Sequence, residues 1–178
     1  KKGDTILIRR PSPPAWIAET GMDDAPGRQP FAWKAGTMNV RWERRVEAVE
    51  GDTLVLDAPL TTALEQRLGG GMIHLSPDGD DGIPREIGVG QLRLVSETET
   101  GNSKDEDHAW TAVRVDAARD AWIADLATRG FAGSAVHVGA EARRVTVQDC
   151  ISTDPVSEDG GYRRLTFHTA GQQTLFLR

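Results

Sequence analysis

Four short stretches in which apolar and polar residues alternate constrain the fold more than any other feature of the chain: Gln91-Leu-Arg-Leu-Val95, Ala121-Trp-Ile-Ala-Asp-Leu126, Val145-Thr-Val-Gln-Asp-Cys150 and Leu175-Phe-Leu-Arg178. Successive side chains of a β-strand point to opposite faces, so each stretch reads as a short strand. Between the second and third the likeness extends backwards, because Ala112-Val-Arg-Val115 aligns with Ala135-Val-His-Val138 and Asp125 aligns with Asp149. The repeat is two strands long. The steps from Leu94 to Ile123 to Val147 to Leu177 are nearly even, too regular for an ordinary sandwich and too strand-rich for a helical repeat. One turn of such a repeat cannot bury its own apolar face, so turns must stack and share one core. The expected fold is all-β, a coiled parallel sheet with Val113, Val115, Ile123, Val136, Val138, Val147, Phe167 and Leu177 pointing inward.

Two segments carry a family resemblance: Ala135-Val-His-Val-Gly-Ala-Glu-Ala-Arg-Arg-Val-Thr-Val-Gln-Asp-Cys150 and Gly160-Gly-Tyr-Arg-Arg-Leu-Thr-Phe-His-Thr-Ala-Gly-Gln-Gln-Thr-Leu-Phe176. Over about residues 86 to 178 the chain resembles right-handed parallel β-helix proteins of the pectate-lyase-like superfamily, and these segments read like bacterial members with no assigned activity. The resemblance implies secreted or periplasmic, carbohydrate-directed proteins, mostly polysaccharide lyases and glycoside hydrolases. A fold of this kind hosts many chemistries, so the resemblance bears on architecture more than on reaction.

Residues 1 to 85 differ in texture and are expected to form a small β-rich region leading into the solenoid. Thr5-Ile-Leu-Ile8, Val40-Arg-Trp42, Arg45-Val-Glu-Ala-Val49 and Thr53-Leu-Val-Leu56 read as strands, with Gly51-Asp52 as a hairpin turn. The stretch from Pro11 to Phe31 holds five of the nine prolines and reads as a long surface loop, pinned by Trp16 and Trp33. At the other end, the strand that starts at Leu175 runs into the last residue. Solenoids cover their edges, so association with another chain or a missing C-terminal segment is expected there.

A net charge of -6 and a pI near 5.2 argue against a nucleic-acid partner, since binding to phosphates needs a dense Lys/Arg surface. No apolar run approaches the roughly 20 residues that span a bilayer, so no membrane partner is expected. The one cysteine, Cys150, excludes an internal disulfide and reads as a small buried side chain. Ser76-Pro-Asp-Gly-Asp-Asp-Gly82 places three aspartates at short spacing. Calcium favours flexible acidic loops, but no glutamate follows at the EF-hand offset, so a solvated turn is the expectation and no cofactor is assigned.

In a solenoid, loops leaving the same corner of successive turns become neighbours. Three such loops, 97 to 108, 127 to 134 and 152 to 164, would gather Lys104, Asp105, Glu106, Asp107 and His108 with Arg129 and with Asp154, Glu158, Asp159, Tyr162, Arg163 and Arg164. The strand after each loop turns Arg114, His137 and then Thr166 or His168 outward, in rows about 4.8 Å apart that match the repeat of a long polysaccharide. β-Elimination on a uronic acid needs a cation to neutralise the carboxylate and a base to take the C5 proton. Tyr162, Arg163, His168, His108 and Lys104 are the candidate catalytic residues, with Arg114, Arg129, His137, Asp105, Asp107 and Arg164 as substrate contacts. Hydrolysis would instead need two carboxylates at a defined separation, and a non-catalytic glycan-binding or structural module needs neither. The adjacent pairs Asp23-Asp24 and Asp80-Asp81 lie on no recognisable turn of the repeat.

Overall fold

The computed structural model describes residues 1–23, 31–76, 82–157 and 164–178. The chain divides into two compact units, Lys1–Asp81 and Gly82–Arg178. Both are built mostly from β-strands.

In the first unit, β1 (Thr5–Arg10) alternates half-buried and buried residues and turns Ile6, Ile8 and Arg10 inward. A six-residue helix, α1 (Pro14–Glu19), follows where the sequence suggests a loop. Proline suits the first helical turn because its missing N–H would have no partner there. β2 (Val40–Glu50) runs unbroken through the two strands read from the sequence and pairs antiparallel with β3 (Thr53–Leu56) across the Gly51 turn, with an irregularity between Val46 and Ala48. A short 3-10 turn, Gln66–Leu68, ends at Gly69 with φ of 94°, a conformation that only glycine adopts freely. It leads to β4 (Met72–Leu75), which the sequence reading does not assign. The sheet order is β3-β2-β1-β4, over a core of Ile6, Ile8, Trp42 and Val46. Trp16 stacks on Trp33 with centroids 5.7 Å apart, and the Arg10 guanidinium lies 3.9 Å over the Trp16 ring. The two indoles therefore pack on each other and on a buried cation.

Among its described residues, the strands of the second unit all pair parallel. Its strands are β5 (Gly88–Val95), β6 (Thr111–Val115), β7 (Arg119–Arg129), β8 (Ser134–Val138), β9 (Arg143–Gln148), β10 (Ile151–Thr153), β11 (Phe167–Thr169) and β12 (Leu175–Leu177). They form two stacks, and the chain passes from one to the other on each turn. In one stack β6, β8 and β11 pair in order, with Val113 beside Val136 beside Phe167. In the other, β5 pairs with β7, β7 with β9 and β10, and β9 with β12, so Val89, Ile123, Val147 and Phe176 share a column. The core lies between the stacks and contains Ile123, Leu126, Val136, Val138, Val145 and Val147, with Val113, Val115 and Cys150 packed against it.

This register corrects the spacing read from the sequence. Ile123 sits beside Val89, not Leu94, and Val147 sits beside Phe176, not Leu177, so the column runs from Val89 to Ile123 to Val147 to Phe176. A slip of one residue turns every side chain to the other face. Phe176 is accordingly the residue aligned with the core, while Leu177, beside Gln148, lies on the opposite face and is 47% exposed. Phe167 does align with the inward column of β6 and β8, yet it remains 39% exposed.

Among the described residues, seven non-glycine residues with φ between 51° and 56° explain how each turn bends. They fall in two columns: Glu86, Asp120, Arg144 and Gln173 in one, and Gln91, Asp125 and Asp149 in the other. A left-handed residue costs an L-amino acid roughly 1–2 kcal/mol, less for aspartate, whose short side chain tolerates the region. In β7 the bend resets the alternation: Ala121 and Ile123 face inward before Asp125, and Leu126 and Thr128 after it. The first column is braced by charge. Arg144 grips Asp120 with Nε to Oδ1 at 2.5 Å and a second bond at 3.0 Å, which holds the Asp120 carboxyl below the usual range.

Candidate functional site

The second unit presents two groupings of polar residues, a cluster of loops and a row on an outward strand face. The loop cluster begins at Asp105. Its side chain is buried, and its two oxygens accept the backbone N–H of Glu99 at 2.8 Å and of Asp107 at 3.0 Å. These bonds favour the charged form and hold the carboxyl below its usual range. Asp105 thus folds the loop back on itself.

His108 ties this loop to others. Its Nε2 lies 3.1 Å from the Asp105 carbonyl oxygen and 3.0 Å from that of Val156, both acceptors, so Nε2 carries the hydrogen. Nδ1 then accepts from the Ser96 hydroxyl at 2.9 Å. That tautomer follows from the partners, and it engages both ring nitrogens. A second link runs from the buried Ser157 hydroxyl to Glu106 Oε1 at 2.7 Å. Ser157 holds φ of 140°, a strained value for a side-chain-bearing residue.

The first and third predicted loops therefore meet. The middle one is threaded between them by backbone bonds, with Gly133 N–H to Trp110 O at 2.9 Å and Gly130 N–H to Thr153 O at 3.2 Å. Gly130 has φ of 82°, and an added Cβ would come within 3.1 Å of the Ser96 carbonyl oxygen, so both shape and conformation select glycine there. Arg129 extends outward and pairs with Asp154 at 3.0 Å, an exposed contact contributing about 0–1 kcal/mol. Lys104 and Asp107 are exposed, and Arg164 is half-buried ahead of β11. Tyr162, Arg163, Glu158 and Asp159 lie outside the described residues, as do Asp24, Asp80, Asp81 and most of the acidic Ser76–Gly82 loop. Among the described residues no group of three or more His, Cys, Asp or Glu side chains could hold a metal ion, and no helix is long and apolar enough to cross a membrane.

The outward row lies on the other stack. Arg114 of β6, His137 of β8 and His168 of β11 are direct register partners on consecutive parallel strands. The inward neighbours Val136 and Val138 are fully buried, which fixes the outward direction of the residue between them. Arg114 Nε bonds Asp116 Oδ1 at 2.7 Å. The two imidazoles meet edge to face, with centroids 4.5 Å apart and Nδ1 to Nδ1 at 3.0 Å. One Nδ1 must donate and the other accept, so the pair as placed shares a single Nδ1 hydrogen. Partial burial, then the neighbouring His168 and the Arg114 charge, push the proton affinity of His137 below the ordinary histidine range, while Asp116 opposes them.

The sequence reading misses the direct contact of the two histidines. Their common outward position is visible, but β9, β10 and a long connection separate β8 from β11, so the spacing leaves Thr166 and His168 as alternatives and hides the register that makes the histidines neighbours. It also misses the structural engagement of His108, because neither Ser96 nor Val156 stands near it in the chain. Comparison of the chain with protein-family models, with curated proteins and with solved structures finds no match.

Proposed function

We propose that residues 86 to 178 are turns of a right-handed parallel β-helix, and that the coil engages an extracellular or periplasmic polysaccharide, cleaving it by β-elimination at uronic acid residues. The observation that supports this most is the row Arg114, His137 and His168, three basic residues in strict register on one outward face. Parallel strands repeat about every 4.8 Å, so such a row can track a linear polymer.

In the proposed reaction Arg114 offsets the uronate carboxylate charge, which makes the C5 proton more acidic. The neutral imidazole of the histidine pair takes that proton. The electron pair of the broken C5–H bond forms the C4–C5 double bond as the C4–O bond breaks, and the departing oxygen takes a proton from water. A lowered proton affinity keeps His137 neutral near pH 7, in the form a base requires.

Incubation with polygalacturonate, alginate and a glucuronate-containing polymer tests the reading through the absorbance of the unsaturated product. A rise with one polymer, lost in His168→Ala and Arg114→Ala at retained fold, is the expected result. A second reading, a non-catalytic glycan-binding or structural module, is favoured by the occupied state of the loop cluster. His108 and the Asp105 carboxylate are committed to holding loops together, and Arg129 is paired with Asp154. Retention on a polysaccharide gel with no product of either lyase or hydrolase type would select it. Neither retention nor turnover on any polymer would remove both readings.

A further inference from the structure

The geometry points to His137 and His168 as a two-ligand site for a late first-row divalent ion of the copper(II) or nickel(II) type. This inference rests on the register of β8 and β11, and it holds whether or not a polysaccharide is the substrate. Two observations support it.

First, the same atom of each ring faces the other. Nδ1 of His137 and Nδ1 of His168 are 3.0 Å apart. Imidazole nitrogens bind such ions at about 2.0–2.1 Å, and two nitrogens at this separation subtend an angle of roughly 91–97° at an ion placed between them. That is the angle of adjacent positions in a square or octahedral shell. Tetrahedral zinc would need the nitrogens to part by a further few tenths of an ångström. Tetragonal N,O coordination is the preference of copper(II) and nickel(II), and copper(II) has the higher affinity.

Second, the ligands are held. Both histidines sit on paired parallel strands, and Val136 and Val138, which flank His137, are buried in the core and anchor that ligand. With bonds of about 2.0–2.1 Å, each lone pair must turn roughly 40–45° from the line joining the two nitrogens to meet at one point, a change that ring rotation supplies. Preorganisation of this kind removes the ordering cost that makes two independent histidines poor chelators.

A ligating imidazole must offer a lone pair, so both Nδ1 atoms must be free of hydrogen when the ion is bound. No net proton is lost on binding to the neutral pair. The single Nδ1 hydrogen they share is exchanged through water to an Nε2 atom, leaving both Nδ1 lone pairs for the ion. Arg114 does not repel the ion as a bare cation, because its Nε is bonded to Asp116 at 2.7 Å. Water or a ligand oxygen completes the coordination shell.

The experiment is titration of the full chain with copper(II) chloride and nickel(II) chloride, read by calorimetry and, for copper, by electron paramagnetic resonance. One equivalent is expected to bind with nitrogen hyperfine coupling from two imidazoles, and to raise the melting temperature. His137→Ala and His168→Ala should each weaken binding by at least about tenfold, since loss of a ligand costs no less than loss of an outer-shell partner. His74→Ala, in the other unit, should leave it unchanged. If an alanine variant unfolds, His168→Gln, which keeps side-chain bulk on β11, replaces it with the same expectation. Absence of binding to the native chain, or binding that survives loss of both histidines, would overturn the inference. The polysaccharide assays are read separately, so either idea can fail alone.

Discussion

Replacing His108 by alanine should loosen the loop cluster without dismantling the strand stacks. The side chain makes one hydrogen bond from the Ser96 hydroxyl and one N–H shared by the carbonyl oxygens of Asp105 and Val156. A net 0.5–1.5 kcal/mol for each of two bonds gives about 1–3 kcal/mol, the shared donor counting once. The cost should be local, because the core between the stacks does not include His108. Native-state hydrogen exchange reads it directly. The Glu99 and Asp107 amides, which bond the Asp105 carboxylate, should exchange roughly 5- to 150-fold faster by the usual conversion of free energy to population. The amide of Val147, inside the core, should change far less. His108→Gln keeps an N–H that can reach a carbonyl oxygen and should recover part of the protection. Unchanged Glu99 and Asp107 exchange together with lost turnover would refute this reasoning and return His108 to a chemical role.

Three further outcomes follow from the packing and the charges. Ile123→Ala should cost about 2–5 kcal/mol in denaturant unfolding, because the side chain is 1% exposed and the strands on either side are locked in register; a loss under about 1 kcal/mol would contradict the inward assignment. Gly139→Ala should destabilise by an amount resolvable in the same assay, since the new Cβ would lie 2.8 Å from Asp116 Cα and 2.9 Å from its carbonyl oxygen; a neutral result would mean the turns are not stacked that closely. The Asp105 carboxyl titrates below its ordinary value in the folded chain, so its contribution is present above that value and is lost as pH falls through the folded one. Protection of the Glu99 and Asp107 amides should therefore fall in acid below about pH 4, the ordinary aspartate value, and Asp105→Asn should abolish that dependence.

The recurrence of Ala-Val-Arg-Val and Ala-Val-His-Val, and of Asp125 and Asp149, is legible because these two successive turns repeat with little change. The preceding turn is harder to read. Its bend residue is Gln91 rather than aspartate, and its greater length hides the partner of Ile123. Bends in the left-handed region also break the alternation that marks a strand, so a reading by strict alternation drifts by one residue, as at Leu177. Proximity across loops is visible as a general consequence of stacking, but specific bonds are not. Which of several polar groups meets His108 depends on loop conformations that no spacing rule encodes. In the first unit, β4 escapes assignment because its pairing partner is β1, at the far end of that unit's sequence.

The outward row of Arg114, His137 and His168 exists only if their strands run parallel and in register. Nuclear Overhauser spectroscopy of the labelled chain addresses it most directly. Cross-strand contacts between backbone protons of Arg114 and His137, of His137 and His168, and of Val147 and Phe176 are the expected result, without the close Hα–Hα pairs of antiparallel ladders. Strong Hα–Hα contacts between these strands, or contacts displaced by one residue, would contradict it and disperse the outward row.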